Sequence, residues 1–150
     1  MISNAKIQDY MTPAITVSTT TPIRVAQQIM EDRHIRHLPV VKEDKLVGIL
    51  SSGDIRRAGP SSTSTLSMWE IASLWEKTTV EQEMSRHVIS VRPETLVTTA
   101  VQLMMTHRFN SLPVVDSENR PIGIVTEVDV FRLFLDVALA TTPVPASELG

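Results

Sequence analysis

The sequence predicts an α+β fold in which one strand, helix, strand, strand, helix unit is used twice. Three observations carry this. The stretch Leu38-Pro39-Val40-Val41, then Gly48-Ile49-Leu50-Ser51-Ser52-Gly53-Asp54, returns as Leu112-Pro113-Val114-Val115, then Gly123-Ile124-Val125-Thr126-Glu127-Val128-Asp129. A one-faced helical pattern precedes each copy, and a second helix follows each. The spacing from Pro to Gly grows by one residue in the second copy, inside a polar stretch between apolar runs, where a hairpin loop accepts insertion. With 42% apolar residues in 150, the chain can bury a core of ordinary size, as one domain or as two half-size units sharing a core.

Each unit opens on a short leader, Met11-Thr12-Pro13 or Met84-Ser85-Arg86, and a β-like stretch, Ile15-Thr16-Val17-Ser18 or Ile89-Ser90-Val91-Arg92. Thr21 stands where an N-cap belongs and Pro22 where the first helical residue belongs, since proline there gives up an amide that has no intrahelical partner; Thr95 repeats the cap. The first helix places Ile23, Ala26, Ile29 and Met30 on one face, and its copy places Leu96, Ala100, Leu103 and Met104. The β-branched runs Ile35 to Val41 and Phe109 to Val115 read as strands. Polar turns, Lys42-Glu43-Asp44-Lys45 and Asp116 to Arg120, join each to the next apolar run as an antiparallel hairpin. Pro39 and Pro113 donate no ladder hydrogen bond, which places them at a strand start or an edge.

A second helix starts near Ser51 and near Thr126. The later one, Val128 to Leu139, is too apolar for one domain face to bury and is expected to meet a partner subunit. Between the units, Ala58 to Thr65 reads as a loop leading into a helix over Leu66 to Glu76. Met68, Ile71, Leu74 and Trp75 align on one face of that helix, which packs onto the domain as a lid or docks a partner. The organisation is thus a first repeat at 8–58, a linker with a short amphipathic helix at 59–79, a second repeat at 80–140 and a frayed tail at 141–150.

Composition excludes several classes. A net charge of −3 argues against a nucleic-acid binder, which needs a concentrated positive surface. The absence of cysteine removes thiol catalysis, disulfides and thiolate metal sites. No apolar run is long enough to span a bilayer and the opening residues carry no secretory pattern, so a soluble cytoplasmic protein is expected. His34 and His37 lack a third metal ligand at useful spacing, and His87 and His107 stand alone. There is no phosphate-binding P-loop, no nucleophile elbow and no nucleophile with an identifiable base, so neither catalytic nor metal residues are assigned.

The doubled order of elements, with Leu-Pro-Val-Val and Gly-Ile-Leu/Val-Ser/Thr-x-x-Asp in each copy, resembles a tandem pair of CBS domains over nearly all of residues 8 to 140. His34 to Val41 and Ala58-Gly59-Pro60-Ser61 are further similar to small bacterial CBS proteins of the acetoin-utilisation protein B type. The resemblance implies a pseudo-twofold module whose two clefts take AMP, ADP, ATP or S-adenosylmethionine as regulatory ligands. It also implies a homodimer formed through helices and a regulated partner protein.

Carried onto this sequence, the resemblance gives Asp54 and Asp129 the ribose diol, and it places Pro39 and Pro113 among the ligand contacts. Ser51 and Thr126 cap helices whose starting amides suit phosphate. The same Ser/Thr-x-x-Asp spacing is a relative of the capping box, in which the acid satisfies a backbone amide. Arg36 and His37 fall where the family places basic phosphate contacts; Asn110 and Ser111 replace them in the second copy, so the two clefts differ in charge preference. Thr16, Val17, Ser90 and Val91 resemble strand segments whose backbone reads the adenine edge, or they simply pair in a sheet. Gly53 is unusual in a helix's first turn, and either admits a ligand closely or is tolerated there. The rival to a ligand-binding regulator is an interaction scaffold that binds through the Trp69/Trp75 helix or the Phe131/Phe134 helix.

Overall fold

The computed structural model describes residues 2–59 and 65–141; most of the expected 58–65 loop and nearly all of the expected tail lie outside them. In chain order the elements are β1 (Thr12–Pro13), β2 (Val17–Ser18), α1 (Ile23–Arg33), β3 (His37–Lys42), β4 (Lys45–Ser51), α2 (Ser52–Ala58), α3 (Met68–Lys77), α4 (Val80–Glu83), α5 (Val97–His107), β5 (Ser111–Val115), β6 (Pro121–Thr126) and α6 (Glu127–Thr141). Packing divides the chain into two compact units. One is Ala14–Ile89 with Ser117–Pro121, and the other is Met1–Pro13 with Ser90–Asp116 and Ile122–Gly150. The sequence repeats therefore interleave, because the leader ahead of each repeat is housed with the hairpin of the other.

In the first-hairpin unit the sheet order is β2-β3-β4. Val17 and Ser18 pair in parallel with Val40 and Val41, and β3 runs antiparallel to β4 through the two-residue turn Glu43-Asp44. Both turn residues have positive φ, 52° and 65°, the geometry that matches the twist of a tight hairpin. One face of this sheet and the inner faces of α1 and α2 bury Val17, Ile23, Ala26, Met30, Leu38, Val40, Leu50 and Ile55, with Val80 and Met84 completing the cluster. The tip of the second hairpin belongs to this unit too. Leu46 N donates to Asn119 O at 2.9 Å, Asn119 Nδ2 donates to Leu46 O at 3.3 Å, and Lys45 Nζ donates to Glu118 O at 2.6 Å. The residue inserted in the second loop thus lies in a tip that bonds to the start of β4.

The second-hairpin unit has the order β1-β6-β5. Thr12 and Pro13 pair antiparallel with Ile124 and Gly123, and Val91 forms a parallel bridge with Val114. Ile7, Val97, Ala100, Met104, Leu112, Val114, Val125 and Leu133 are buried.

Several expectations change. Thr21 and Thr95 do not cap helices: α1 and α5 start one residue later than expected, after Pro22 and Leu96, and neither has a side-chain cap. The threonine hydroxyls turn back instead and accept from Ser18 N at 3.1 Å and Arg92 N at 2.9 Å. Distant backbone fills the vacant role, with Ile23 N donating to Thr78 O and Val97 N to Ala5 O, both at 2.9 Å. Leu96, expected on the buried face, is 39% exposed, and Val97 takes its place. Pro39 is neither at a strand start nor on an edge. It lies inside the central strand β3 opposite Ile49, whose amide and carbonyl bond Ser85, so no ladder bond from Pro39 is missing. Pro113 likewise lies inside its strand, β5, which ends the named sheet but is flanked by the Val91 bridge, and its carbonyl accepts from Val91 N at 2.9 Å.

The α3 helix packs on α1 with Ile71 and Trp75 partly buried, tied by Arg24 Nε to Glu76 Oε1 at 2.8 Å. Met68 and Leu74, expected on the buried face, are exposed, and Trp69 is 87% exposed. On α6, Val128, Phe131, Phe134, Leu135 and Leu139 are all exposed, as the excess of apolar residues in that helix requires.

Two glycines allow the leaders to cross. A β-carbon on Gly48 would stand 2.7 Å from both Met84 Sδ and Ser85 O, and one on Gly123 would stand 2.6 Å from Met11 Sδ and 3.1 Å from Thr12 O. Alanine at either position is therefore expected to cost about 1–3 kcal/mol in urea denaturation, as overpacking does. Gly48→Ala costs more, since it meets a backbone carbonyl. A double-mutant cycle then gives a larger coupling for Gly123→Ala with Met11→Ala than for Gly48→Ala with Met84→Ala, because only a side chain can be trimmed away.

Candidate functional site

Each hairpin delivers its second strand directly into a helix, and the residues at that junction are the candidates. Ser51 is the N-cap of α2 in an extended conformation, and a full capping box forms: Asp54 N donates to Ser51 Oγ at 3.1 Å and Ser51 N donates to Asp54 Oδ2 at 2.8 Å. The second copy repeats the return bond, with Thr126 N donating to Asp129 Oδ2 at 2.8 Å, and Thr126 Oγ1 adds a donation to the same oxygen at 3.3 Å. The capping reading of Ser/Thr-x-x-Asp is thus realised in both copies.

The other carboxylate oxygen meets an arginine one turn on. Arg57 Nη2 is hydrogen-bonded to Asp54 Oδ1, and Arg132 Nη1 lies 3.4 Å from Asp129 Oδ1. The aspartates are well buried, at 14% and 4% side-chain exposure, while the arginines are mostly exposed at 73% and 59%. Each acid is therefore held rigidly from inside and screened from outside by a side chain that can swing into solvent. An ionised carboxylate has about four acceptor positions, so both retain capacity for a diol.

The residue before each hairpin is tied to the same junction. Ser52 N donates to Arg36 O at 2.8 Å, and Glu127 N donates to Asn110 O at 3.2 Å. His37 faces Ser51 across the ladder. The structure thus brings Arg36, His37, Pro39, Ser51 and Asp54 together in one unit, and Asn110, Ser111, Pro113, Thr126 and Asp129 together in the other. Arg36 is exposed, Ser111 is buried, and Pro39 and Pro113 are fully buried. Val17 and Val91 turn their side chains into the cores and their backbones into sheet pairing, with Thr16 and Ser90 exposed beside them.

Some of the helix-start amides expected to face a phosphate are already bonded: those of the caps Ser51 and Thr126 by the aspartates, those of Ser52 and Glu127 by the carbonyls of Arg36 and Asn110, and that of Asp54 by the Ser51 hydroxyl. The sequence reading also missed Arg57 and Arg132, although the signal is plain once sought, since Asp-x-x-Arg stands in both copies. It missed as well a groove of about 530 Å³ in the second-hairpin unit, lined by Met104, Met105, Phe109, Val130 and Phe131 with Arg108 and Glu127 among its polar residues. Among the described residues no group of three His, Asp or Glu stands together as a metal site, and no helix is long and apolar enough to cross a membrane.

Comparison with known proteins agrees with this architecture. The CBS domain model matches twice, at residues 7–61 and 77–136. The CBS domain pair of protein MJ0100, solved in complex with 5′-methylthioadenosine and S-adenosyl-L-methionine, is 33% identical, with a TM-score of 0.71 over 87% of this chain and 95% of that one. CBSX2 in complex with AMP is 29% identical, with a TM-score of 0.75 over 89% and 99%. A putative acetoin utilization protein (AcuB) from Vibrio cholerae is 29% identical, with a TM-score of 0.73 over 93% and 98%, which bears out the resemblance drawn from His34 to Val41. The chain spans only 20–25% of the length of the first curated relatives it matches, which carry the names of enzymes and are 31–35% identical to it. On its two matched domains and their repeated helix-start geometry, this chain belongs to the CBS-domain family as a tandem pair.

Proposed function

We propose that the chain is a regulatory module with no catalysis of its own, which binds adenosine-type ligands (AMP, ADP, ATP or S-adenosylmethionine) and passes their presence to a partner protein in the cytoplasm. The observation that carries this is the twice-built carboxylate. Asp129 is buried and Asp54 mostly so; each is fixed by an amide at 2.8 Å and faced by an exposed arginine, so a ribose diol meets an acceptor already oriented for it. The solved relatives holding AMP, 5′-methylthioadenosine and S-adenosyl-L-methionine support the same ligand class. In this reading the backbone at Thr16, Val17, Ser90 and Val91 borders the adenine, with Pro39 and Pro113 beneath. Arg36 and His37 favour a phosphorylated ligand, and Asn110 and Ser111 a less charged one.

The exposed apolar stripe of α6, continuous with the groove beside α5, is the surface through which two copies pair. A ligand then acts only insofar as it prefers one arrangement of the dimer over another. A second reading, an interaction scaffold, is favoured by Met68 and Trp69, which stand exposed on α3 with their neighbours Ile71 and Trp75 already committed to α1.

Calorimetric titration with the four ligands separates these readings. Wild type is expected to bind at least one of them well below millimolar. Asp54→Asn and Asp129→Asn keep an oxygen for the capping amide, yet each should weaken its own site roughly tenfold or more, the scale of a charged hydrogen bond. Failure of all four ligands to bind better than millimolar leaves the scaffold. Asp129→Ala, by contrast, strands the Thr126 amide and should lower urea stability by about 1–3 kcal/mol without any ligand, whereas Asp129→Asn recovers most of that. Phe131→Glu combined with Leu135→Glu should convert a dimer into monomers in sedimentation equilibrium with the circular dichroism unchanged.

A further inference from the structure

Each unit seats a methionine of its leader on a glycine, and the two seats differ in how well they are sealed. Met11 Sδ and Cγ stand 2.6 and 3.1 Å from where a β-carbon of Gly123 would be, and Met84 Sδ and Cγ stand 2.7 and 3.2 Å from the same point at Gly48. Both thioethers therefore lie directly on glycine backbone. Met84 is 9% exposed and belongs to the buried cluster of its unit, and its neighbour Ser85 holds it there with two backbone bonds to Ile49. Met11 is only half-buried. Thr12 and Pro13, the whole of β1, are exposed, so Met11 is the apolar side chain that holds this two-residue strand down on β6.

The leader has a separate anchor upstream. Ile7 is fully buried, and Ile7 N donates to Thr95 O and Gln8 N to Pro93 O, both at 2.9 Å. Opening at β1 thus leaves the leader attached to its unit. It frees one edge of β6, the strand that runs on into α6.

The chain has no cysteine and seven methionines, so its sulfur chemistry is that of thioethers. With hydrogen peroxide, the sulfur lone pair attacks one peroxide oxygen, the O–O bond breaks and the second oxygen leaves as water. The sulfur is oxidised by two electrons, the peroxide is reduced, and an apolar side chain becomes polar. The new oxygen accepts hydrogen bonds. At the Met11 seat it meets no donor side chain, and the nearest backbone oxygen, Thr12 O, lies 3.1 Å from the point the thioether covers. A sulfoxide there is stable only turned into water, off the glycine.

We propose that Met11 is a reversible oxidation site whose sulfoxide releases β1 from β6. Met84, on the same contact, is the sealed counterpart, and Met30 and Met104, 5% and 7% exposed, lie in the cores. Met68 and Met105, 85% and 75% exposed, are open to peroxide but seat no strand. Methionine sulfoxide reductase restores the thioether and with it the contact. The device acts on the strand itself and does not depend on the ligand reading.

The test exposes the full chain to hydrogen peroxide, maps sulfoxide by mass spectrometry of its peptides, and follows amide hydrogen exchange over residues 122–126. Met68 and Met105 are expected to oxidise first, Met11 next, and Met30, Met84 and Met104 last. Exchange over β6 should quicken about tenfold in proportion to the sulfoxide at Met11, and slow again after treatment with methionine sulfoxide reductase. Met11→Leu keeps an apolar side chain of similar volume, so the same peroxide treatment should leave its exchange unchanged while Met68 and Met105 are oxidised. Met11→Gln, polar from the outset, should exchange fast with no peroxide added. Met11 oxidised no sooner than Met84, or oxidised with exchange unchanged, overturns the proposal. The same quickening in peroxide-treated Met11→Leu does so too.

Discussion

The close passage of a leader over a glycine is the constraint on which both units depend. Ser85 exchanges two backbone hydrogen bonds with Ile49, at 2.9 and 3.0 Å, only because the neighbouring Gly48 presents no side chain to Met84 and to the Ser85 carbonyl. Pro13 pairs with Gly123 itself under Met11. Each crossing adds an extra strand or bridge to the outer edge of a hairpin, and it covers an edge that would otherwise stay open. It also explains why the compact units do not follow the sequence repeats: a leader can pair only where such a glycine stands, and that glycine lies in the other repeat's hairpin.

The same glycines set the register of the site. From Gly48 to Ser51 and from Gly123 to Thr126 is three residues, and each aspartate follows three later. Strand alternation over those first three residues and one helical turn over the next three fix where the carboxylate comes to rest. The return bond to the cap amide at 2.8 Å in both copies is the product of that register. Capping consumes only part of the accepting capacity of a carboxylate so held. The capping bonds thus leave room on each carboxylate for a further donor, with an arginine standing at the outer oxygen.

Local signals were legible in the sequence and long-range ones were not. Leu-Pro-Val-Val, the polar turns and Gly-Ile-Leu/Val-Ser/Thr-x-x-Asp predicted the strands, the hairpins and the second helices, because alternation, turn chemistry and capping act over a few residues. Thr21 and Thr95 misled for the opposite reason. The amides they were to cap are met by Thr78 and Ala5, whose arrival depends on tertiary packing that no local pattern records. The α3 stripe misled because a helical face indicates which side chains align and not how much surface is available to bury them; α1 covers Ile71 and Trp75 and nothing covers Met68. Phosphate affinity was assigned to helix amides on the strength of a general rule, which does not record that the first amide of each helix, Ser52 or Glu127, bonds the carbonyl of Arg36 or Asn110.

A duplicated unit provides its own control for separating structure from recognition. Positions where both copies hold the same or an equivalent residue, such as Gly48 and Gly123, Pro39 and Pro113, or Asp54 and Asp129, are those with a demonstrable packing or hydrogen-bonding duty in each unit. Positions where they part, Arg36 against Asn110, Gly53 against Val128 and Arg56 against Phe131, include none whose side chain the fold uses: the main chain of Arg36 and Asn110 does the structural work, and the others face outward. These residues carry the chemical difference between the copies, two arginines and a glycine in one and an asparagine, a valine and a phenylalanine in the other.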